Sequence, residues 1–378
     1  MFAATAPGLE ALAERELHSL GIAGARAETG GVAFTGTHAE LQRANLWLRT
    51  ASRVLVRVAE FEATAFHELE RLSKRVRWER YISAALPVRL RVTCKKSRLY
   101  HSDAVAERVA GAIAGRVTGA TTGPTVGASA DDDDETESES QLIVVRLSHD
   151  RCTISVDASG ALLHRRGYRL QTAKAPLRET LAAAALLASG WDGVAPLVDP
   201  LCGSGTIAIE AALIARRIAP GARRRFAFMR WPGFDAAAWT RLLETATAGE
   251  LPGAPAPIVA SDRDAGAVEA AAANAARAGV AADVMISMRA LSALVAPPGR
   301  GWLVTNPPYG LRVGERAGLR DLYAQLGNVA RRALPGWTVA MVSADRSLER
   351  ATKLAFAERL KTQNGGIPVR IIAAPVDG

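Results

Sequence analysis

Residues 198–206 of this chain read VDPLCGSGT, and they carry the strongest structural signal in the sequence. An apolar run at 194–198 leads into it, and the helix-forming sequence IAIEAALIA follows at 207–215. The order is therefore a buried strand, a glycine-rich turn and a helix. Glycines in such a turn let a ligand approach the backbone closely at the amino end of a helix. We predict a doubly wound α/β sheet with a ligand site at the carboxyl end of this strand.

Two nucleotide-binding families also place a glycine-rich turn after a strand. Gly203, Gly205 and Ala208 fit the loose dinucleotide fingerprint, which requires an acidic ribose ligand about 20 residues further on. The next convincing strand, PIVAS at 257–261, ends at Asp262, far beyond that spacing. A phosphate-loop NTPase is excluded because no Lys-Ser or Lys-Thr pair follows the glycines. A dehydrogenase is disfavoured too, because Asp262 lies too far from the glycines to be the acidic ribose ligand of that fingerprint.

A second motif, NPPYG at 306–310, follows the apolar run GWLVT at 301–305. Two consecutive prolines cannot extend a sheet, because neither has an N–H group to donate. The Asn306 side chain and the Pro307 carbonyl can accept two N–H bonds from an exocyclic amine, and Tyr309 can stack on the ring that carries the amine. The alternative interpretation is an ordinary strand-ending turn with a buried tyrosine.

Together, the two motifs resemble the class I S-adenosylmethionine-dependent methyltransferases. The resemblance implies that Asp199 and the glycine turn lie under the methionine part of the cofactor. It also implies that Asp262 binds the ribose hydroxyls, with Asp264 as an alternative, and that the NPPY motif holds the target nitrogen. The candidate catalytic residues are Asn306, Pro307, Pro308 and Tyr309. The candidate residues for S-adenosyl-L-methionine are Asp199, Pro200, Cys202, Gly203, Ser204, Gly205, Thr206, Asp262 and Arg263.

One position departs from this family. Its members often place an aspartate near the end of the third strand, where it meets the adenine amine. Here residues 287–292 read SMRALS, with Ala290 in place of an acid. Adenine contacts in this region would have to come from backbone groups.

The amino-terminal part of the chain has its own pattern of elements, and 378 residues suit two domains. A helical stretch ends near Gly21, strand-like runs lie at 53–61, 88–94, 142–147 and 152–157, and a helical stretch covers 103–117. This order resembles a ferredoxin-like lead-in followed by a THUMP domain, an RNA-binding module. The implied division is a ferredoxin-like region at 1–60, a THUMP domain at 61–160, a linker at 161–189 and a methyltransferase domain at 190–378.

The sequences LLHRRGYR at 162–169 and APLRETLAA at 175–183 lie at the join between these parts. With LCGSGT and NPPYG, they resemble the THUMP-containing large-subunit-rRNA guanine-N2 methyltransferases nearly end to end. The resemblance implies methyl transfer to the N2 amine of a guanine in 23S rRNA. Four alternatives stay open: tRNA guanine-N2 methylation, adenine-N6 methylation of RNA or DNA, glutamine-amide methylation of a protein, and a non-catalytic RNA-binding assembly factor.

The charge distribution agrees with a nucleic-acid partner. The net charge is +9, although DDDDETESES at 131–140 holds seven acids and no base. The other residues include 47 bases and 31 acids, a net charge of +16 that would attract phosphates. The acidic run lies in a segment at 119–141 with almost no apolar residues, for which we predict disorder. The basic segments at 164–169 and 223–225, the latter with Trp231, are either RNA contacts or ordinary surface.

Other chemistries lack support in the sequence. Cys94, Cys152 and Cys202 show no metal-binding spacing and the six histidines are isolated, so we predict no metal site. Low cysteine content, no signal peptide and no long apolar segment favour a cytoplasmic protein outside the membrane.

We also predict the strand positions of the second domain. They begin near Val194, Pro257, Asp283, Gly301 and Trp337. A final hairpin is predicted from strands at 357–362 and 369–374, with Asn364-Gly365-Gly366 as its turn.

Overall fold

The described residues of the chain form two seven-stranded sheets. The computed structural model describes residues 1–84, 86–121, 140–169, 177–309 and 316–377. Most of the predicted disordered insertion at 119–141, residues 170–176 at the join and Gly310 of the second motif lie outside these residues. Among the described helices, none is long and apolar enough to span a membrane.

The first sheet is built from the amino-terminal part of the chain. Its strands are β1 (Phe2–Thr5), β2 (Arg26–Glu28), β3 (Gly31–Ala33), β4 (Ala51–Glu62), β5 (Val88–Lys95), β6 (Gln141–Ser148) and β7 (Arg151–Asp157). Across the sheet the order is β2-β3-β1-β4-β7-β6-β5. Its helices are α1 (Glu10–Ser19), α2 (His38–Trp47), α3 (Phe66–Ser73) and α4 (Ser102–Ala114). The helix predicted at 103–117 corresponds to α4, which ends earlier than predicted, at Ala114.

Strand β4 connects the two predicted amino-terminal regions. It is twelve residues long and pairs with β1 through its first half and with β7 through its second half. One continuous sheet therefore runs through both regions. The boundary proposed at residue 60 lies inside this strand, and the division into two units stays a proposal.

The second sheet has the predicted doubly wound form. Its strands are β8 (Leu197–Asp199), β9 (Ile258–Asp262), β10 (Val284–Met288), β11 (Trp302–Thr305), β12 (Thr338–Ser343), β13 (Ala357–Asn364) and β14 (Ile367–Pro375), in the order β10-β9-β8-β11-β12-β14-β13. Strands β8 to β12 run parallel, and β14 is antiparallel to both neighbours. The strand order reverses between β8 and β11, where open α/β sheets bind ligands.

The helices of this half are α5 (Glu179–Ser189), α6 (Thr206–Ala215), α7 (Ala236–Ala248), α8 (Ala265–Ala278), α9 (Arg316–Ala333) and α10 (Arg346–Ala351). Helix α6 is apolar on almost every side, and nearly all its residues are buried, as expected for a central helix. Helix α5, inside the predicted linker, packs into the same core as the second sheet.

Two predicted boundaries differ from the structure. Val194 is 58% exposed and β8 begins only at Leu197, because Asp192 accepts hydrogen bonds from the Val194 and Ala195 amides and holds a turn there. The predicted hairpin is confirmed as β13 and β14. Its turn is shorter than predicted, because Asn364 is the last residue of β13 and pairs with Ile367.

The segment between α6 and β9 joins the two halves of the protein. Its residues Phe226, Phe228 and Trp231 are buried in the core of the first sheet. The indole N–H of Trp231 donates to the Gln141 side chain at 2.8 Å, and its ring packs edge-on against Tyr81 at 5.0 Å. Trp231 is therefore a core residue, and the prediction that it lies at an RNA-binding or solvated surface is wrong.

The basic segment at 164–169 is largely interior as well. The Arg166 guanidinium lies 3.4 Å from the Glu210 carboxylate, and both side chains are almost fully buried. The Tyr168 hydroxyl donates to the same carboxylate at 3.2 Å. Arg224 donates to backbone carbonyls of residues 161, 162 and 165. For these residues, too, the prediction of an RNA-contacting or solvated surface is wrong, whereas Arg223 and Arg225 are exposed.

Candidate active site

The glycine turn lies between the end of β8 and the start of α6. Gly203 and Gly205 have positive φ angles of 51° and 84°, which glycine adopts without strain. A Cβ at Gly205 would lie 3.0 Å from the Ala271 Cβ, so glycine lets α6 approach α8 closely. A Cβ at Gly203 would meet no described atom within 4 Å. Gly203 therefore leaves its backbone open to a ligand at this edge of the sheet.

Asp262, at the end of β9, binds the turn directly. Its Oδ2 accepts a hydrogen bond from the Gly203 amide at 3.0 Å, and its Oδ1 accepts one from the Asp264 amide at 3.0 Å. The Asp264 side chain instead accepts from the Ala267 amide at 3.0 Å and caps α8. The structure thus distinguishes the two acids, because Asp262 lies at the glycine turn while Asp264 serves a helix. Arg263, between them, is exposed.

Asp199, at the end of β8, is buried, with 1% of its surface exposed. One carboxylate oxygen accepts hydrogen bonds from the Thr305 hydroxyl at 2.7 Å and from the Leu201 amide at 3.3 Å. Burial, with a contribution from the nearby Asp262 carboxylate, raises the pKa of Asp199 to about 7. Asp199 therefore fastens the glycine turn to the end of β11, one residue before Asn306.

The other candidate residues of the turn form its interior. They are Pro200, Cys202, Ser204, Gly205 and Thr206, all buried. The Cys202 amide donates to the Ser261 carbonyl at 3.0 Å, which ties the turn to β9. The fully buried Asn274 on α8 donates to the Ser204 carbonyl at 3.0 Å. These contacts fix the shape of the turn, and the sequence did not single out Asn274.

The NPPY motif leaves β11 at the same edge of the sheet. The Asn306 Oδ1 is buried and accepts no hydrogen bond from any residue that the structure describes. A buried polar atom without a partner costs about 1–3 kcal/mol, so this oxygen suits a ligand that brings an N–H donor. Pro307 is buried and Pro308 is exposed.

Tyr309 is held in place by a residue from the final hairpin. Its hydroxyl accepts a hydrogen bond from the Asn364 Nδ2 at 2.6 Å, and its ring packs against the core of the second sheet. Burial raises the pKa of the Tyr309 hydroxyl. The sequence gives no sign that Asn364 is a site residue, because Asn364-Gly365-Gly366 indicates only a turn. The two residues lie 55 positions apart, and only the sheet topology brings them together.

The third strand supplies no carboxylate, in agreement with the sequence. Strand β10 ends at Met288, which pairs in register with Asp262 and is 66% exposed. The Arg289 amide donates to the Asp262 carbonyl at 2.8 Å. The edge beside Asp262 thus carries an exposed thioether side chain that the sequence analysis did not single out.

The described residues do not support catalysis by a cysteine nucleophile or by a bound metal ion. The Cys202 thiol is buried, and burial raises its pKa, which keeps it from acting as a thiolate nucleophile near neutral pH. In the described ranges no three His, Cys, Asp or Glu side chains are grouped as a metal site would require.

Comparison with known families matches both halves of the chain. Residues 166–372 match the family described as "RMKL-like, methyltransferase domain". Residues 1–55 match the "RlmL ferredoxin-like domain".

Two curated relatives match almost the whole chain. A Synechocystis sp. protein, provisionally named an RNA methyltransferase, is 37% identical over 372 residues, which are 98% of this chain and 95% of the relative. The ribosomal RNA large subunit methyltransferase K/L of Syntrophotalea carbinolica is 37% identical over 387 residues, again 98% of this chain. The match covers 53% of that enzyme, so this chain spans about half the length of the K/L relatives.

A solved structure agrees with these matches. It is the crystal structure of a protein provisionally named a methyltransferase, in complex with SAH. It superposes on this chain with a TM-score of 0.85 at 31% sequence identity, and the match covers all of this chain and 97% of the other. SAH is what S-adenosylmethionine becomes after it gives up its methyl group, and S-adenosylmethionine is the methyl donor of this fold. The open backbone at Gly203, the carboxylate of Asp262 and the parallel sheet edge fit that cofactor. The chain belongs to the RMKL-like family of S-adenosylmethionine-dependent methyltransferases.

Proposed function

We propose that this enzyme methylates the exocyclic N2 amine of a guanine in 23S rRNA. The observation that carries the proposal is the buried Asn306 Oδ1, which has no partner among the described residues and begins a motif with a half-buried tyrosine. An amine on a planar ring offers N–H donors to Asn306 and to the Pro307 carbonyl, and a face to Tyr309. The choice of guanine and of rRNA rests on the family resemblance and on the names of the K/L relatives.

Gly203 and Asp262 would hold most of the cofactor. The open side of Gly203 leaves room for the methionine part, and the Asp262 carboxylate would accept hydrogen bonds from the ribose hydroxyls. Met288 and the backbone near Arg289 would flank the adenine, since this strand end has no acid. S-adenosylmethionine supplies a methyl group already activated by its sulfonium, so the protein's task is to position the nucleophile.

The target amine is a weak nucleophile because its lone pair is delocalised into the guanine ring. The Asn306 side-chain oxygen and the Pro307 carbonyl would each accept a hydrogen bond from one N–H of the amine and so direct the lone pair toward the methyl group. Positioning of this kind can supply most of the acceleration, and no strong base is needed before transfer, because the amine would lose its extra proton to water only after the methyl group has passed from sulfur to nitrogen. The guanine must leave its stack to reach the site, and stacking on Tyr309 would offset part of that cost. Asn364 would fix the ring plane for this contact.

The amino-terminal half would bind the RNA. The chain without its acidic run carries a net charge of +16, and the family match at residues 1–55 extends the resemblance into this half. We retain the proposed THUMP region at 61–160 as the principal RNA-binding unit and the cytoplasm as the place of action.

The test is methyl transfer by the purified enzyme. Wild-type protein and Asn306→Ala would be offered 23S rRNA, tRNA and intact large subunits separately, with labelled cofactor, and the product nucleoside identified by mass spectrometry. We expect N2-methylguanosine in 23S rRNA from the wild type alone. Label chiefly in tRNA would move the assignment to tRNA, and N6-methyladenosine would overturn the choice of guanine.

A further inference from the structure

One face of the first sheet is lined with cations. Along β6, Ile143, Val145 and Leu147 are buried in the core, so the alternate residues Arg146 and Ser148 lie on the opposite face. The same alternation on the neighbouring strands places further basic residues there. The basic residues of this outer face are Arg57, Arg89, Arg91, Lys95, Arg146 and Arg151.

The strand register groups these cations with hydroxyl side chains. Arg146 pairs with Thr153 of β7 on one side and with Thr93 of β5 on the other. In the next row Ser148 lies between Arg151 and Lys95. Cations and hydroxyls therefore alternate across three neighbouring strands. Both groups donate hydrogen bonds to phosphate oxygens.

The face is also concave. A groove of about 370 Å³ is lined by Leu55, Arg57, Val144, Arg146, Arg151 and Thr153, among others. Three acids accompany the cations here, because Glu28 pairs with Arg57, Glu60 pairs with Arg151, and Glu62 lies opposite Arg151 in the strand register. Ion pairs this exposed contribute at most about 1 kcal/mol, so a phosphate can replace the carboxylate. Arg146 and Lys95 are exposed and form no ion pair with the described residues.

We propose that four cations of this outer face, together with the intervening hydroxyls, bind the phosphate backbone of the substrate RNA: Arg57, Lys95, Arg146 and Arg151. The inference rests on the proposed function, because it names the surface that holds the RNA. Among the described residues that line the groove, Phe2 is the one aromatic side chain, and the Arg57 guanidinium already covers its ring at 4.3 Å. The face therefore orients RNA through phosphates, while the base is selected at the NPPY motif.

The test compares two double charge reversals in the full-length protein. Lys95→Glu with Arg146→Glu changes the outer face. Arg71→Glu with Arg75→Glu makes the same change in net charge on and just after α3, on the helix-covered side of the same sheet, where both arginines are exposed. Binding of unmodified 23S rRNA would be measured by filter retention over a range of salt concentrations, with thermal melting as a check that both variants fold.

We expect the outer-face variant to bind RNA roughly tenfold to a hundredfold more weakly, with a smaller salt dependence equivalent to about two lost phosphate contacts. The α3 variant should change the affinity by less than about threefold. Equal losses in the two variants would overturn the proposal, since RNA would then sense only net charge. Failure of the wild type to methylate 23S rRNA would contradict the proposed function. The binding comparison of the two variants would still show whether the outer face binds RNA.

Discussion

The Thr305 hydroxyl donates a hydrogen bond of 2.7 Å to the Asp199 carboxylate, and this bond joins the strand end that carries the glycine turn to the strand end that carries the NPPY motif. Both residues are buried, so the bond is shielded from water. The glycine turn and the NPPY motif are thus joined at one edge of the sheet. A displacement of β8 or β11 would alter both at once.

Replacing Asp199 should reveal the cost of its buried charge. The folded-state pKa of Asp199 is raised to about 7, so its contribution to stability is present at low pH and is lost as the pH rises from about 4 to about 7. Asp199→Asn keeps an acceptor for Thr305 but cannot ionise. As the pH rises over this range, the free energy of unfolding of Asp199→Asn should therefore increase relative to that of the wild type, by roughly 1–3 kcal/mol. Urea unfolding at pH 4.5 and pH 8 measures the change, and a difference that does not vary with pH would contradict the account.

Asp262 and Asp264 provide a matched pair for testing the cofactor site. Asp262→Ala removes the carboxylate at the glycine turn and should weaken S-adenosylmethionine binding roughly tenfold to a hundredfold, since hydrogen bonds to charged groups contribute about 1.5–3 kcal/mol. Asp264→Ala removes a helix cap and should instead cost about 1 kcal/mol of stability with the affinity nearly unchanged. Calorimetric titration and thermal melting separate the two effects. The reverse pattern would exchange the roles of the two acids.

The NPPY motif should affect chemistry more than cofactor binding. Asn306→Ala removes the acceptor for the target amine, so methyl transfer should fall steeply while cofactor affinity stays near the wild-type value. Binding is measured by calorimetry and transfer by labelled cofactor. An Asn306→Ala protein that no longer binds the cofactor would place Asn306 in the cofactor site instead.

Tyr309 should contribute through its ring. Tyr309→Phe loses only the hydrogen bond with Asn364, as does Asn364→Ala from the other side. Both variants should retain most activity, with losses of about tenfold or less for a single neutral hydrogen bond, whereas Tyr309→Ala should lose far more. Initial rates at saturating cofactor decide the matter. A folded but inactive Tyr309→Phe would show that the hydroxyl, and not the ring, is required.

The positions of the candidate site residues that depend on local pattern could be predicted from the sequence. Asp199, Asp262 and Asn306 each follow a short apolar run, and residues that end parallel strands converge at one sheet edge whatever the chain between them does. Met288 and Asn274 were missed, because an exposed methionine and a buried helical asparagine carry no local signal.

Non-local pairing explains the larger errors. Trp231 and Arg166 lie in segments rich in basic and aromatic residues. Such a composition occurs both at exposed surfaces and at buried contacts between two parts of a protein, so it does not distinguish them. Arg166 is buried because Glu210 and backbone carbonyls surround it, and these partners come from distant parts of the chain. Asn364 reaches Tyr309 because β13 is antiparallel to β14 and therefore runs in the same direction as β11 and β12, so both strands end at the same sheet edge.

The acidic run at 131–140 should not be needed for catalysis. Changing its seven acids to the corresponding amides keeps the length and removes the charge. We expect methyl transfer to remain and RNA affinity to rise slightly, since repulsion between the acids and phosphates is removed. Filter binding and transfer assays of this variant beside the wild type provide the measurement. A full loss of activity would mean that the acidic run itself takes part in function.

The most direct measurement of the central claim is nucleoside mass spectrometry of 23S rRNA from a strain that lacks this gene. The strain would be complemented with the wild-type gene, with Asn306→Ala, or with an empty vector. We predict that one N2-methylguanosine disappears from 23S rRNA in the deletion strain and returns only with the wild-type gene. An unchanged level of N2-methylguanosine, or its restoration by Asn306→Ala, would contradict the account.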